Sequence, residues 1–198
     1  MNNRALNLAP WSLAICTFVA GSLIAGPLQA ASYRFDGDKR NVIHWLSSAP
    51  MEKIKGTAGV VTGVLKLDPR ALKSLKVEVK SEVASMKSGN PMRDEHLRSP
   101  GWLDAKRYPH LEFKLSEVVS VKRRKGAATI TAEGMFTCHG VSRPLRVRAE
   151  LKWNKRLVKI TTAFSIALKD YGVKGSQGVV GNKVGRTIQI NATLYARR

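Results

Sequence analysis

The chain has 198 residues, and 34 Lys and Arg against 14 Asp and Glu give it a formal net charge of +20 at pH 7. That length provides for one hydrophobic core of ordinary size and little more. Such a basic balance usually indicates contact with polyanions. Two cysteines and four scattered histidines do not have the spacing of metal ligands, so we predict no metal site.

The first thirty residues have the anatomy of a secretory signal peptide. Residues 1–4 form a short basic start, residues 5–26 are uncharged and mostly apolar, and residues 27–31 contain a proline and small residues. We therefore predict a signal peptide over residues 1–30, removed on export, and one domain over residues 31–198. The expected location of that domain is the periplasm or the extracellular space.

Two other interpretations of the leader remain open. The apolar run approaches the roughly 20 residues that span a bilayer, which is compatible with a retained anchor. Cys16 follows apolar residues as a lipid-attachment site would, although Ile15 is bulky for such a site. Cleavage leaves Cys138 as the single cysteine of the domain, which excludes an intramolecular disulfide.

The predicted export of the domain limits which polyanions its positive charge can meet. Removing the leader removes one Arg and no acid, so the remaining domain carries +19. Export argues against nucleic acid as a partner and favours anionic membrane surfaces or envelope polysaccharide. The alternative is that Lys and Arg only solubilise an outer face. The densest basic cluster, residues 122–125, is predicted to be the tip of a hairpin.

Strict alternation of apolar and polar residues dominates the chain beyond residue 32. A period of two places one apolar face inward and one polar face toward water, as in antiparallel strands. The clearest rows occupy residues 76–83, 111–115, 145–153, 160–168 and 188–194. These rows predict an all-β domain.

The strands are separated by turn-forming stretches and by two short helical segments. The helices are predicted at residues 69–75 and within residues 93–107, where nearby prolines keep the second one short. A glycine-rich stretch over residues 172–185 predicts a flexible loop at a rim. About eight strands fit the chain, and closing them into a single antiparallel barrel removes unpaired edges.

The interior of this barrel is either hollow or filled. An eight-stranded barrel is just wide enough for its own side chains or for one slender ligand. Small residues predicted to point inward favour the hollow form, whereas a solid sandwich is the alternative. These residues are Ala128, Ala132, Gly134, Ala149, Ala163 and Ala192, with Gly59 and Gly63.

No residue cluster in the sequence has the pattern of a catalytic site. His96 lies among acidic and basic residues without a nucleophile nearby, and it lacks the second histidine of a zinc-protease helix. Cys138 and His139 are adjacent in a strand pattern, so their side chains diverge. We therefore predict a protein without enzymatic activity.

Four aromatic residues occupy inward positions of separate strands and should meet inside the barrel. They are Phe113, Phe136, Trp153 and Phe164. Each would either fill a core or line a hollow.

Three motifs give the chain a resemblance to a known family. Residues 92–113 contain Arg-Asp-Glu-His-Leu, then Trp-Leu-Asp, then Tyr-Pro before an apolar strand. Residues 134–145 read Gly-Met-Phe-Thr-Cys-His-Gly-Val-Ser-Arg-Pro-Leu, and residues 170–173 read Asp-Tyr-Gly-Val. In order and spacing these resemble the YceI-like family, lipid- or polyisoprenoid-binding proteins of the bacterial envelope.

The resemblance implies a lipocalin-like antiparallel barrel with short helices near one end and an elongated apolar tunnel. It implies no cofactor beyond a bound isoprenoid lipid, isoprenoid quinone or fatty-acid-like amphiphile. The residues expected to line the tunnel are Trp102, Phe113, Phe136, Trp153, Phe164, Ile166, Ile188 and Ile190. Those expected at a polar mouth are Arg93, Asp94, His96 and Arg143.

The function expected from the sequence is therefore non-catalytic binding, sequestration or transport of a long apolar lipid in the barrel interior. The alternative is a basic envelope protein that binds anionic surfaces through its outer face and carries no lipid. The oligomeric state stays open, and a homodimer is compatible with the sequence.

Overall fold

A computed structural model describes residues 30–36, 38–49, 52–175 and 184–198. The signal peptide predicted over residues 1–30 lies outside this part of the chain except for Ala30. Most of the glycine-rich loop, residues 176–183, also lies outside it. Among the described residues, no helix is long and apolar enough to cross a membrane.

The described residues are mainly β-strand, as the alternation predicts. Ten strands are present: β1 Ala31–Asp36, β2 Val42–Ser48, β3 Lys53–Ala58, β4 Val61–Leu67, β5 Lys76–Glu82, β6 His110–Arg124, β7 Ala127–Cys138, β8 Val141–Trp153, β9 Leu157–Ala167 and β10 Thr187–Arg197. The helical elements within the described ranges are the α-helix α1, Pro91–Arg98, and three short 3₁₀ segments, Leu72–Ser74, Val83–Ser85 and Leu168–Tyr171.

The strands form one antiparallel sheet that closes on itself. Its order is β1-β4-β5-β6-β7-β8-β9-β10-β2-β3, and β1 also pairs with β10. Because β10 pairs with β2 along one part of its length and with β1 at Arg34 and Arg197, β1 and β2 follow each other along one side of β10. Counting β1 with β2, and β3 with β4, as interrupted long strands gives a closed barrel of eight strands. The predicted antiparallel barrel is confirmed.

Polar groups cover the interruption between β1 and β2. The side-chain oxygen of buried Asn41 accepts a hydrogen bond from the backbone N–H of Tyr195 on β10, at 2.6 Å. Asp38, just before it, forms ion pairs with Arg40 at 2.8 Å and with Arg197 of β10 at 2.9 Å. These contacts join the two edges where ladder hydrogen bonds are interrupted.

Tight turns set the register of the long strands. Cys138 pairs with Val141, so only His139 and Gly140 connect β7 to β8, and both have positive φ. This is the conformation that two-residue hairpins require. At the other end, Arg124 pairs with Ala127 and leaves Lys125 and Gly126 in the turn. The predicted basic hairpin tip is therefore correct.

Helix α1 and the 3₁₀ segments Val83–Ser85 and Leu168–Tyr171 lie at the opposite end of the barrel from that tip, whereas Leu72–Ser74 lies near the tip. Pro91 occupies the first turn of α1, and the side chain of Asn90 caps it by accepting a hydrogen bond from the N–H of Arg93. Lys87, just before α1, forms a bridge with Thr57 of β3. We call this the helix end of the barrel and the β6–β7 turn the hairpin end.

Inward side chains form two buried clusters along the barrel axis. The cluster toward the hairpin end includes Tyr33, Leu65 and Leu151, and Leu72 of the first 3₁₀ segment packs against it. The cluster toward the helix end includes Trp45. The prediction that Ala163 points inward is wrong, because even-numbered residues of β9 face the interior and Ala163 is exposed.

Candidate functional site

An apolar cavity of about 360 Å³ occupies the helix end of the barrel. We call it the outer cavity. Its size lies within the range of small-molecule sites in proteins. Its walls include Ile54, Met86, Leu103, Ile166, Val173 and Ile188. Exposed Asn90, Met92 and His96 also border it, so the cavity opens toward solvent beside α1.

A second apolar cavity of about 130 Å³ lies farther along the barrel, lined by strands β5 to β10. We call it the inner cavity. Small inward residues on its wall, among them Ala132, Ala149 and Ala192, leave space that larger side chains would fill. The two cavities adjoin, because both are lined by Ile43, Leu111, Phe136 and Ile190.

Aromatic rings gather where the two cavities meet. Phe136 packs edge-on against Phe164, with ring centroids 5.8 Å apart, and against Tyr171 at 5.6 Å. Such edge-to-face contacts hold the rings in fixed orientations. Phe113 lies over Gly134, where a Cβ atom would come within 2.7 Å of its ring. The glycine therefore makes room for this ring.

The structure brings most of the predicted tunnel residues to these cavities. Trp102, Ile166 and Ile188 line the outer cavity, Phe113 and Phe164 line the inner one, and Phe136 and Ile190 line both. Trp153 borders neither cavity. It packs against the cluster toward the hairpin end, because it is the last residue of β8.

The mouth of the outer cavity carries an ion pair. Arg93 on α1 donates a hydrogen bond to the carboxylate of Glu52, at 2.9 Å, across 41 residues of chain. Its Nε also donates to the hydroxyl of Ser88 at 2.9 Å. These contacts fix α1 to the segment between β2 and β3. Of the predicted mouth residues, Arg93 and exposed His96 border the cavity.

The other two predicted mouth residues lie elsewhere. Asp94 is buried and accepts hydrogen bonds from the backbone N–H and the hydroxyl of Ser88, at 2.7 and 2.5 Å. Its carboxylate therefore braces the start of α1. Arg143 is exposed near the start of β8 and donates a hydrogen bond to the carbonyl oxygen of Asp170, at 3.0 Å.

The surroundings of Cys138 and His139 fit structural roles for both side chains. Cys138 is 1 % exposed, and burial raises the pKa of its thiol to about 12, so the nucleophilic thiolate is strongly disfavoured. The ring of His139 packs edge-on against Tyr108, with centroids 4.9 Å apart, and its Nδ1 lies 3.3 Å from the carbonyl oxygen of Tyr171. Across the described ranges, no group of three or more His, Cys, Asp or Glu side chains could hold a metal ion.

Two cavity residues on β2 were not predicted from the sequence. Trp45 and Ser47 are both buried and line the outer cavity. The signal was present in the alternation of Ile43, Trp45 and Ser47 with His44 and Leu46, but the row is too short to stand out. These two residues bring polar atoms into an apolar wall.

The comparison with known families decides the classification. A family model described as the YceI-like domain matches residues 33–196, which is nearly all of the barrel. The chain belongs to the YceI-like family.

Bacterial relatives of this YceI-like protein carry a family-level description. A UPF0312 protein of Vibrio parahaemolyticus is 30% identical over 177 residues, covering 82% of this chain and 92% of the relative. A UPF0312 protein of Pseudomonas putida is 29% identical over 161 residues, covering 77% of this chain and 82% of the relative. The match therefore covers most of the domain in this chain and most of each relative.

Solved structures support the same fold for this YceI-like barrel. BcnA of Burkholderia cenocepacia superposes with a TM-score of 0.68 at 19% identity, covering 78% of this chain and 95% of BcnA. A structure described as a polyisoprenoid binding domain from Saccharophagus degradans, implicated in plant cell wall breakdown, gives 0.65 at 10% identity, covering 85% of this chain and 99% of that domain.

Proposed function

We propose that this YceI-like protein is exported and binds one long apolar lipid without changing it chemically. The ligand class is an isoprenoid chain or a fatty-acid-like amphiphile. The observation that carries the proposal is the pair of adjoining apolar cavities, open beside α1 and continuing into the barrel interior.

Apolar burial supplies the affinity in this account. Each methylene group removed from water contributes about 0.8 kcal/mol, so a chain of ten or more carbons can bind firmly without a charged contact. A narrow apolar wall selects for the width and length of the chain. The description of the Saccharophagus degradans neighbour as a polyisoprenoid binding domain supports this ligand class.

The proposal is tested by placing a larger side chain inside the barrel, at a position that lines the cavities. Ile190 faces inward and lines both cavities, whereas its neighbour Asn191 on β10 is exposed. Ile190→Trp and Asn191→Trp therefore add the same side chain to the inside and to the outside of one strand. The assay is displacement of a hydrophobic fluorescent dye by geranylgeraniol.

We expect the natural chain and Asn191→Trp to bind the prenyl alcohol with similar affinity, and Ile190→Trp to bind at least about tenfold more weakly. Tenfold corresponds to roughly 1.4 kcal/mol, less than two buried methylene groups. Absence of uptake by the natural chain, or equal affinity of all three proteins, would contradict the proposal.

A second candidate function rests on the basic hairpin tip. Lys122, Arg124 and Lys125 are exposed at the end of the barrel opposite α1. Arg123 instead donates hydrogen bonds to the carbonyl oxygens of Pro69 and Arg70. Peripheral contact of this tip with anionic membranes would add about 1 kcal/mol per basic residue near the surface. Sedimentation with phosphatidylglycerol vesicles at low and high salt tests it, because binding through the tip must fall as salt rises.

A further inference from the structure

The wall of the inner cavity includes a layer of small side chains that lie in register across three strands. Ala149 of β8 pairs with Thr162 of β9, and Thr162 pairs with Ala192 of β10. All three residues line the inner cavity. Because residues that pair directly on one face of a sheet lie side by side, they form a single layer of the barrel interior. Their small size leaves the space that the cavity occupies.

The next layer toward the hairpin end consists of large aliphatic side chains. Leu151 pairs with Ile160, and Ile160 pairs with Leu194. All three are buried and also line the inner cavity. Leu75, which directly precedes β5, is buried and lines the cavity as well. We call these four residues the floor of the inner cavity.

Beyond the floor the barrel is filled by its own side chains. Trp153 pairs with Val158, and Val158 pairs with Ala196, so these residues form the layer that follows the floor. They are not on the wall of either cavity. Leu65 and Leu67 of β4 are completely buried in the same cluster and also lie off both walls. The described part of the barrel is therefore closed by packed side chains at this end.

The polar groups around the two cavities favour entry of a lipid with its apolar end first. Arg93 and His96 border the outer cavity at its mouth. Farther in, the hydroxyl of buried Ser81 donates a hydrogen bond to a backbone carbonyl oxygen at 2.9 Å. Lys80 and Glu112 border the inner cavity, but they alternate with inward residues and form an ion pair with each other at 3.1 Å. A charged head group drawn inward would lose its hydration without gaining a free partner.

Strand β10 gives the distance from the outer cavity to the floor. Ile188 lines the outer cavity, Ile190 lines both cavities, and Leu194 belongs to the floor. Six residues of a strand cover about 20 Å, which is about 15 Å along the axis of a barrel whose strands tilt by about 40°. An extended chain advances about 1.2 Å per bond, so a linear chain of about 14 carbons fills this distance.

We propose that the floor, Leu75, Leu151, Ile160 and Leu194, sets the length of the hydrocarbon chain that the protein recognises. Up to about 14 carbons, each added methylene group is buried and strengthens binding. Carbons beyond that length stay at the mouth in contact with water and contribute little. This inference rests on the proposed lipid-binding function and deepens it, because it gives the size of the chain that the barrel holds.

The test measures binding of a series of saturated fatty acids, from about 8 to about 20 carbons, by displacement of a hydrophobic fluorescent dye. The natural chain is compared with Leu151→Ala, which lowers the floor, and with Ala192→Leu, which adds a large side chain to the small layer above it. Leu67→Ala is the matched control, because Leu67 is buried in the same cluster and lies off both cavity walls. Circular dichroism establishes that each variant is folded.

For the natural chain, we expect affinity to rise about fourfold with each methylene group and to level off at about 14 carbons. In Leu151→Ala this break should move to chains about two or three carbons longer, because the substitution removes three carbons from the floor. In Ala192→Leu it should move to chains shorter by up to about four carbons, since one layer corresponds to about 7 Å along a strand. Leu67→Ala should leave the break where it is.

The outcomes separate the floor from the wider function. If fatty acids bind but the break is absent, or lies at the same length in all four proteins, the floor does not set the length and lipid binding stands. If Leu151→Ala is unfolded, Ala192→Leu decides: a shift to shorter chains supports the floor, and an unchanged break overturns it. If no fatty acid displaces the dye from the natural chain, lipid binding and the floor fail together.

Discussion

Trp45 and Gly56 face each other across β2 and β3, and the indole occupies the space where a side chain at position 56 would project. The Trp45 side chain lines the outer cavity. A glycine inside a strand usually weakens it, and close approach of another group is a common reason for keeping one there. Here the approaching group is the aromatic ring that lines the candidate ligand site.

Adding a side chain at position 56 should therefore displace the indole of Trp45. We expect Gly56→Ala to destabilise the fold by about 1–3 kcal/mol, as overpacking of a core does. It should also weaken binding of geranylgeraniol. Gly59→Ala is the control, because a Cβ atom there meets nothing within 4 Å. Its effect should stay within about 0.5 kcal/mol in chemical denaturation. Equal losses for the two variants would contradict this role of Gly56.

The ion pair between Arg93 and Glu52 should control exchange through the mouth more than stability. Both side chains are partly exposed, so Glu52→Gln should cost less than about 1 kcal/mol of unfolding free energy. We expect ligand dissociation to accelerate about twofold to fivefold, the kinetic equivalent of such a pair. Stopped-flow release of a fluorescent fatty acid measures it.

The matched control for that experiment is Glu133→Gln. Glu133 pairs with Arg146 on the outer wall between β7 and β8, away from the mouth. Its loss should leave the release rate unchanged. Acceleration by both variants would indicate a general loosening of the barrel.

Cys138 should be chemically inert in the folded protein. Burial raises the pKa of its thiol to about 12, so the folded state keeps the proton where an unfolded chain would lose it. Stability should therefore be independent of this group below the ordinary thiol pKa and should decline as the pH rises from there toward 12. Iodoacetamide at pH 8 should modify Cys138 only after unfolding, as followed by peptide mass spectrometry. Rapid labelling of the native protein would refute this.

The seam between β1 and β10 should be sensitive to acid. Hydrogen bonds from Arg40 hold the pKa of the Asp38 carboxyl well below its usual range, and Arg197 adds a second positive charge. The stabilisation is present above the ordinary Asp pKa and is lost as the pH falls below it. Thermal unfolding of Asp38→Asn should therefore differ from that of the natural chain at pH 7, and the difference should shrink progressively as the pH falls from the ordinary Asp pKa toward the depressed pKa of the folded state. A difference of the same size at pH 7 and at roughly pH 2 would show that Asp38 acts through something other than its charge.

The sequence predicts whether a strand residue points into or out of the barrel better than it predicts the position of that residue along the barrel axis. Alternation correctly predicts that Phe136, Phe164 and Trp153 point inward, because the period of a strand is two. It carries no information on how far each residue lies from the helix end. That distance follows from strand pairing, which places Trp153 at the hairpin end and Phe136 where the cavities meet.

The positions of the polar residues were also harder to predict than their membership of one helix or strand. Arg93, Asp94 and His96 follow each other on α1, but only the structure separates the residue that pairs across the mouth from the one that is buried beneath it. Arg143 follows a hairpin turn, and it is exposed near the start of β8, where it contacts Asp170 and does not border the outer cavity. Trp45 and Ser47 escaped prediction because β2 is short and because the position of the Trp45 ring depends on Gly56 in the next strand.

The central claim is that the barrel interior holds an apolar chain, and native mass spectrometry of the protein purified without detergent tests it most directly. We expect a species heavier than the protein by one small molecule, released by organic solvent as a lipid with a long hydrocarbon or prenyl chain. A protein that carries only its own mass, and that does not take up geranylgeraniol when offered, would contradict it.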